Sequence, residues 1–99
     1  MSHVELFKNW RTPFVVFGRE CVVARANAVE VINQIYGNGF IFLGYDAFTV
    51  LSDGKRHPVN EFCASFPIKN QPSLAEAIDS LKDDPLQVTS YVFYFKPSA

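Results

Sequence analysis

The most informative part of this sequence is residues 40–51, FIFLGYDAFTVL, in which Gly44 and Asp46 interrupt an otherwise apolar run. Its aromatic and β-branched residues predict a central strand that is buried on both faces. Gly44 indicates a bulge or a close approach of another backbone. Asp46 is costly in such a strand unless it is hydrogen-bonded or lies at a rim. We therefore expect Asp46 either to hold the strand together or to face a partner.

The segments before this strand predict a hairpin and a helix. Residues 14–17 and 20–23 are strand-like, and the Gly18-Arg19 pair between them suits a type II′ turn. Residues 24–37 have helical spacing, and the glycines that follow favour the left-handed conformation that ends a helix. The apolar stripe of this helix is Ala28, Val31, Ile32, Ile35 and Tyr36.

The segments after the central strand predict two more strands and a second helix. Residues 55–66 are strand-like, but Pro58 lacks a backbone N–H and indicates a sheet edge. Ser73 and Glu76 have the spacing of a capping box. The helix that follows carries one apolar face: Leu74, Ala77, Ile78 and Leu81. Residues 88–95 alternate aromatic and apolar side chains as a closing strand.

Together these elements predict an α+β fold: a mostly antiparallel sheet of about five strands with two helices packed on one face. We expect one domain over 1–99, with an N-terminal segment at 1–23 that holds the hairpin and a body at 24–96. A chain of 99 residues that is 48% hydrophobic has enough apolar surface for a core, which excludes a disordered protein. A net charge of -1 argues against direct nucleic-acid binding, which usually requires a basic excess.

Cysteine usage and the N-terminal residues bear on the compartment. Cys21 and Cys63 lie in apolar runs and are expected to be free thiols, although a disulfide between them stays an alternative. The two histidines have no metal-ligand spacing, so we expect no metal and no cofactor. The sequence has neither a signal-peptide pattern nor a run of apolar residues that could span a membrane. We expect a cytoplasmic protein without membrane contact.

The sequence has little of the chemistry that enzymes require. It contains no P-loop, GxGxxG, HExxH or GxSxG motif. Cys63 and His57 are six residues apart on one predicted strand, hence about 20 Å apart and beyond hydrogen-bond reach. We therefore expect a protein that is not an enzyme. One ligand-binding alternative stays open, a pocket in which Tyr45, Asp46 and His57 converge.

An ordered set of residues gives a family resemblance. An apolar helix with Glu30-Val31 and Asn33, the glycine turn at Gly39, a Leu-Gly-x-Asp strand and a closing glycine turn resemble the immunity proteins of tRNA-anticodon-cleaving colicins. The resemblance covers 24–96 and has gaps between 55 and 72. Its remaining residues are Ala28, Val29, Leu43, Gly44, Tyr45, Asp46, Leu51, Gly54, Leu81, Lys82, Asp83, Asp84 and Lys96.

The resemblance implies a non-catalytic inhibitor that binds the nuclease domain of a cognate toxin, in the cleft meant for the anticodon. Acidic and aromatic side chains of such an inhibitor replace phosphates and bases, which suits a basic cleft. On this basis Asp46, Asp83 and Asp84 are candidate toxin-binding residues. Our own inference from their positions beside the central hairpin adds four more: Tyr45, Phe48, Asp53 and Glu61. Phe62, by contrast, is expected to be a core residue.

A second interpretation is a small α+β structural or oligomerisation module without catalytic activity. The predicted edge strand at 55–66 has backbone groups that can pair with a second copy across a two-fold axis. A homodimer is therefore an open prediction beside the complex with a toxin.

Overall fold

The computed structural model describes residues 2–51, 53–82, 84–85 and 87–98. Six antiparallel strands form one sheet in the order β1-β2-β6-β3-β4, and β5 pairs with β3 outside this order. This confirms the predicted α+β class. The strands are β1 Val15–Phe17, β2 Glu20–Ala24, β3 Ile41–Val50, β4 Arg56–Pro58, β5 Ala64–Ser65 and β6 Ser90–Lys96, and the helices are α1 His3–Trp10, α2 Ala28–Gly37 and α3 Leu74–Asp79.

Strand β3 is central, as its composition predicts. It pairs with β6 along nearly its whole length and with β4 and β5 on its other side. The register with β6 shifts between Phe42 and Gly44, which is the predicted bulge. Gly44 has φ +131°, and a Cβ at this position would lie 2.1 Å from the carbonyl oxygen of Ala64. Only glycine therefore lets β5 lie against β3 here.

The main core lies between the helices and one face of the sheet. Phe7 of α1, Ile32 of α2 and Ala77 of α3 are all buried in a single cluster with Tyr45 and Tyr91 of the sheet. Strand side chains alternate between faces, so the residues next to those tyrosines point away from the helices. The predicted arrangement of helices on one face holds for three helices rather than two.

Helix α1 is absent from the sequence-based prediction. The Ser2 side chain accepts a hydrogen bond from the backbone N–H of Glu5, which caps its first turn. Arg11 ends it in the left-handed conformation, at φ 58°. Phe7 and Trp10 pack their rings 5.5 Å apart and bring the helix onto the core. The N-terminal segment therefore contributes to the same core as the body.

Two boundaries differ from the prediction. Strand β2 continues to Ala24, and a 3₁₀ turn at Arg25–Asn27 precedes α2, so this helix begins at Ala28 rather than at 24. The predicted strand at 55–66 is divided into β4 and β5 by a second 3₁₀ turn, Asn60–Phe62. The strand is divided just after Pro58, the proline that indicates a sheet edge. The next backbone N–H, that of Val59, still donates to the Ala47 carbonyl, and the chain then turns.

The predicted capping box of α3 is confirmed. The Ser73 hydroxyl accepts from the Glu76 N–H at 3.1 Å, and the Glu76 carboxylate accepts from the Ser73 N–H at 3.1 Å. Leu74, predicted to lie on the apolar face, is 37% exposed, whereas Leu81 is buried just beyond the helix end. In the part of the chain that the structure describes, no helix has the length and apolar character needed to cross a membrane.

Candidate functional site: the open face of the sheet

The face of the sheet opposite the helices carries a separate small cluster. Its apolar members come from β1, β2, β3 and β6, and none of them belongs to a helix. A layer of charged and phenolic side chains lies on this cluster. We call this surface the open face and define it by eight side chains: Phe17, Glu20, Val22, Asp46, Phe48, Arg56, Val92 and Tyr94.

Arg56 extends from the edge strand β4 across the aromatic part of the open face. Its guanidinium carbon lies 5.4 Å from the centroid of the Phe17 ring and 4.7 Å from that of Phe48, which are cation–π distances. Its Nη2 lies 2.5 Å from Oε1 of Glu20 on β2. That charged hydrogen bond holds the pKa of Glu20 below its ordinary value. The side chain thus connects opposite ends of the sheet.

Two carboxylates converge on the Tyr94 hydroxyl. Its oxygen lies 2.7 Å from Oδ2 of Asp46 and 3.1 Å from Oε2 of Glu20. A phenol has one proton to donate, so it cannot serve both acceptors at once. Burial, followed by the hydrogen bond to Asp46, raises the pKa of Tyr94, which keeps the phenol protonated. The two acids therefore retain unused acceptor capacity, and both are partly exposed.

Asp46 is the acid of this group without a cation. It is half-buried, and no Lys or Arg of the described residues lies within 4 Å of its carboxylate. Glu20, in contrast, has Arg56 as its partner. The three ionised groups of the open face sum to one negative charge. A cation from a partner would find Asp46 unpaired and Glu20 beside it, an arrangement that favours binding of a basic surface.

Tyr45 and Asp46 are adjacent in β3 and are both predicted to contact a toxin, but they lie on opposite faces of the sheet. Asp46 and Phe48 lie on the open face, where Phe48 is 8% exposed beneath Arg56. Tyr45 points to the other face, is 2% exposed, and donates its hydroxyl proton to Ser80 at 2.9 Å. Strand alternation is the physical reason. The expectation that Tyr45 shares a surface with Asp46 is therefore wrong. For the same reason, Tyr45 and Asp46 cannot line one pocket with His57.

Asp84 is a structural residue in the core rather than a surface acid. It is 7% exposed, and its Oδ2 accepts the Tyr91 hydroxyl proton at 2.5 Å. Arg25 donates to the carbonyl oxygens of Asp84, at 2.6 Å, of Val88, at 3.0 Å, and of Pro85. Burial, followed by the bond to Asp84, raises the pKa of Tyr91. We leave Asp84 out of the contact surface; its neighbour Asp83 lies outside the described residues.

The remaining predicted residues lie away from the open-face layer. Asp53 is exposed in the β3–β4 turn, where its Oδ1 accepts from the Lys55 N–H at 3.0 Å. Glu61 is exposed, but on the 3₁₀ turn Asn60–Phe62 rather than on a strand. Phe62 packs against the main core, as expected. Of the predicted residues that the structure describes, only Asp46 and Phe48 come together on the open face.

Six of the eight open-face residues are absent from the predicted contact set: Phe17, Glu20, Val22, Arg56, Val92 and Tyr94. A partial signal exists, because Phe17 and Glu20 flank the predicted hairpin turn and Tyr94 alternates with core aromatics in the last strand. Their meeting depends on β6 lying between β2 and β3. Local sequence patterns do not encode this order.

The described residues contain no group of three or more His, Cys, Asp or Glu side chains that could hold a metal ion. Cys21 is buried and Cys63 half-buried, and both are free thiols, as expected. Comparisons of the chain with protein-family models, with characterised proteins and with solved structures find no match.

Proposed function

We propose that this protein is a non-catalytic inhibitor that binds a ribonuclease-type bacterial toxin through the open face of its sheet. The observation that carries the proposal is the pair of carboxylates, Asp46 and Glu20, that converge on Tyr94 beside aromatic side chains. Nuclease clefts are basic because they bind phosphates, so carboxylates on a rigid sheet complement them. The resemblance to the immunity proteins of anticodon-cleaving colicins supports the same function.

The rigidity of this surface also favours recognition. Its polar groups are held by hydrogen bonds to one another and rest on the buried Val22, Phe48 and Val92. Preorganised groups lose little side-chain entropy on binding. The cognate toxin therefore meets an acidic patch in nearly its final geometry. Inhibition requires only that the protein cover the RNA-binding cleft, and a surface is sufficient for that.

The proposal is tested with the ribonuclease domains of tRNA-anticodon-cleaving colicins, by co-expression and by calorimetry. We expect the protein to rescue cells from at least one of them and to bind that domain in a one-to-one complex. Asp46→Asn should weaken this binding about 10-fold, since it removes a charge from the centre of the interface. Glu30→Gln is the matched control, because Glu30 is exposed on α2, on the other side of the sheet.

Two results would contradict the proposal in different ways. If no domain of this toxin class binds and none is neutralised in cells, the function is wrong. If a domain binds and Asp46→Asn behaves like Glu30→Gln, the function stands and the open face is not the contact surface.

A second candidate is the self-association module, which one observation favours. Val15 and Val16 are 59% and 50% exposed, next to each other on β1, at the end of the sheet order. An apolar edge strand can pair with a second copy. The other edge is interrupted, because the 3₁₀ turn Asn60–Phe62 lies between β4 and β5. Light scattering decides: a dimer that Val16→Lys dissociates supports this candidate, and a monomer at high concentration contradicts it.

A further inference from the structure

A groove on the same side of the sheet has one unusual property, a buried polar atom without a partner. The groove has a volume of about 330 Å³ and lies between the N-terminal hairpin and the β3–β4 turn. Most of its walls are apolar, and six residues define it here: Val15, Phe17, Val22, Ala24, Val50 and Ser90. Ser90 is 4% exposed, and its Oγ makes no hydrogen bond to any residue that the structure describes.

The orientation of Ser90 follows from the sheet register. Ser90 pairs with Phe48 of β3 and with Ala24 of β2, and its neighbour Tyr91 points into the main core. Its hydroxyl therefore lies on the side of the open face, at the floor of the groove. A buried hydroxyl without a partner costs free energy that a bound hydrogen-bonding group would recover. The neighbouring Thr89 has no such deficit, because its Oγ1 accepts from the Val50 N–H at 3.0 Å.

A second unpartnered polar atom lies nearby on the open face. Nη1 of Arg56 is buried and has no acceptor among the described residues. The guanidinium carbon lies 5.4 Å from the centroid of Phe17, whose ring lines the groove. This nitrogen can only donate, whereas the Ser90 hydroxyl can donate or accept. An occupant that carries an oxygen suits both atoms better than one that carries only an N–H.

The charges around the groove select the class of occupant. Glu20 and Asp46 outweigh Arg56 and give this face a net negative charge, which, with the apolar walls, disfavours a carboxylate. The apolar walls disfavour an ammonium or guanidinium group, which would lose its hydration there. An aromatic ring matches the walls and can contact Phe17 at the rim. A neutral ring with a hydroxyl group satisfies all of these conditions.

We propose that the groove is an anchor site for the phenol side chain of a tyrosine on the partner protein. This inference rests on the proposed function, since it adds a second contact to the same face: a cation of the toxin at Asp46 and a tyrosine in the groove. Tyrosine is one of the residues that most often dominate the energy of an interface when it fills a pocket. The ring lies among the groove walls, and its hydroxyl reaches Ser90.

The site is tested without a toxin, by titrating the full-length protein with p-cresol and with toluene and following backbone amides by NMR. p-Cresol reproduces the tyrosine side chain, and toluene lacks the hydroxyl. We expect p-cresol to shift the amides of Val22, Ala24 and Ser90 and to bind about 2- to 10-fold more tightly than toluene, the range that one hydrogen bond supports.

Three variants localise the effect. Ser90→Ala should bring p-cresol to the affinity of toluene, because it removes the hydroxyl alone. Ala24→Trp should abolish binding of both probes, because Ala24 is exposed on the groove wall and the indole fills the space. Ala75→Trp, at an exposed position of α3, is the matched control and should change neither affinity.

The outcomes separate the site from the function. Shifts elsewhere in the protein, no binding, or equal affinity for p-cresol and toluene would overturn the site. With a toxin domain that binds, Ala24→Trp should weaken the complex at least 10-fold relative to Ala75→Trp, and an unchanged complex would overturn the groove as an anchor. If p-cresol occupies the groove while no toxin domain binds, the phenol site stands and the proposed function fails.

Discussion

Gly44→Ala should destabilise the protein far more than an ordinary glycine substitution. A methyl group at residue 44 would lie 2.1 Å from the carbonyl oxygen of Ala64, 2.9 Å from its carbonyl carbon and 3.0 Å from the Cα of Ser65. Ordinary van der Waals contacts begin at 3.4 Å, so the two backbones must separate by more than 1 Å. Such a separation breaks the pairing of β3 with β5.

The magnitude has two parts. The φ of +131° costs about 1–3 kcal/mol for any residue with a side chain. The clash adds about 1–3 kcal/mol, the range for overpacking against atoms that cannot move freely. We therefore expect a loss of about 2–6 kcal/mol from a free energy of unfolding of order 5–15 kcal/mol. Chemical denaturation followed by circular dichroism measures it.

Gly39→Ala provides the matched control. Gly39 also has a positive φ, +74°, but no atom lies within 4 Å of a Cβ built there. It should cost about 1 kcal/mol, from backbone strain alone. Gly44→Ala should cost more than Gly39→Ala because it adds the clash with β5, and hydrogen exchange at Phe66, whose N–H donates to the Leu43 carbonyl beside this clash, should accelerate only in Gly44→Ala. If the two variants lose the same stability, the packing argument at Gly44 is wrong.

Two further changes test other parts of the fold. Burial lowers the pKa of His3, whose ring stacks on Phe95 with centroids 4.1 Å apart. The unfolded chain then binds the proton more tightly, so stability is complete above the ordinary histidine pKa of 6.5 and falls as the pH drops below it. Urea midpoints at pH 8 and pH 5 should show this fall, and His3→Phe, which retains a ring, should reduce it; an undiminished fall would exclude His3 as its cause. Tyr91→Phe leaves the buried Asp84 carboxylate without its donor at 2.5 Å and should cost about 1–3 kcal/mol, measured by thermal unfolding. Tyr36→Phe, which removes a bond to the carbonyl of Pro72 from a half-buried phenol, should cost less, and the reverse order would contradict the structural role of Asp84.

Local signals were sufficient for the elements that depend on neighbouring residues. The composition of β3, the bulge at Gly44 and the capping box at Ser73 each follow from residues only a few positions apart. Helix α1 had a comparable signal, since Ser2 and Glu5 have capping-box spacing, and could have been predicted. The rest of the signal for α1 is weak, because its amphipathic pattern is short and its core contacts are made with segments distant in the sequence.

The candidate site could not be predicted to the same extent. The ion pair of Arg56 with Glu20 joins strands at separated positions in the sheet order, and the phenol that links the acids comes from the last strand. Asp46 stands out in the sequence because an acid is unusual in an apolar strand. The burial of Asp84 has no such local signal, because it depends on the hydrogen bond from Tyr91 and not on the residues next to Asp84 in the sequence.

The position of β6 has a consequence for how the protein is made. It is the last strand along the chain, yet it lies between β2 and β3 and is the strand that joins them. During synthesis, the hairpin β1–β2 and the pair formed by β3 and β4 have no shared strand until residues 90–96 leave the ribosome. The Tyr94 phenol that gathers Glu20 and Asp46 arrives with that strand. The acidic surface is therefore completed only when β6 joins the sheet, and a chain without β6 carries its parts without its geometry.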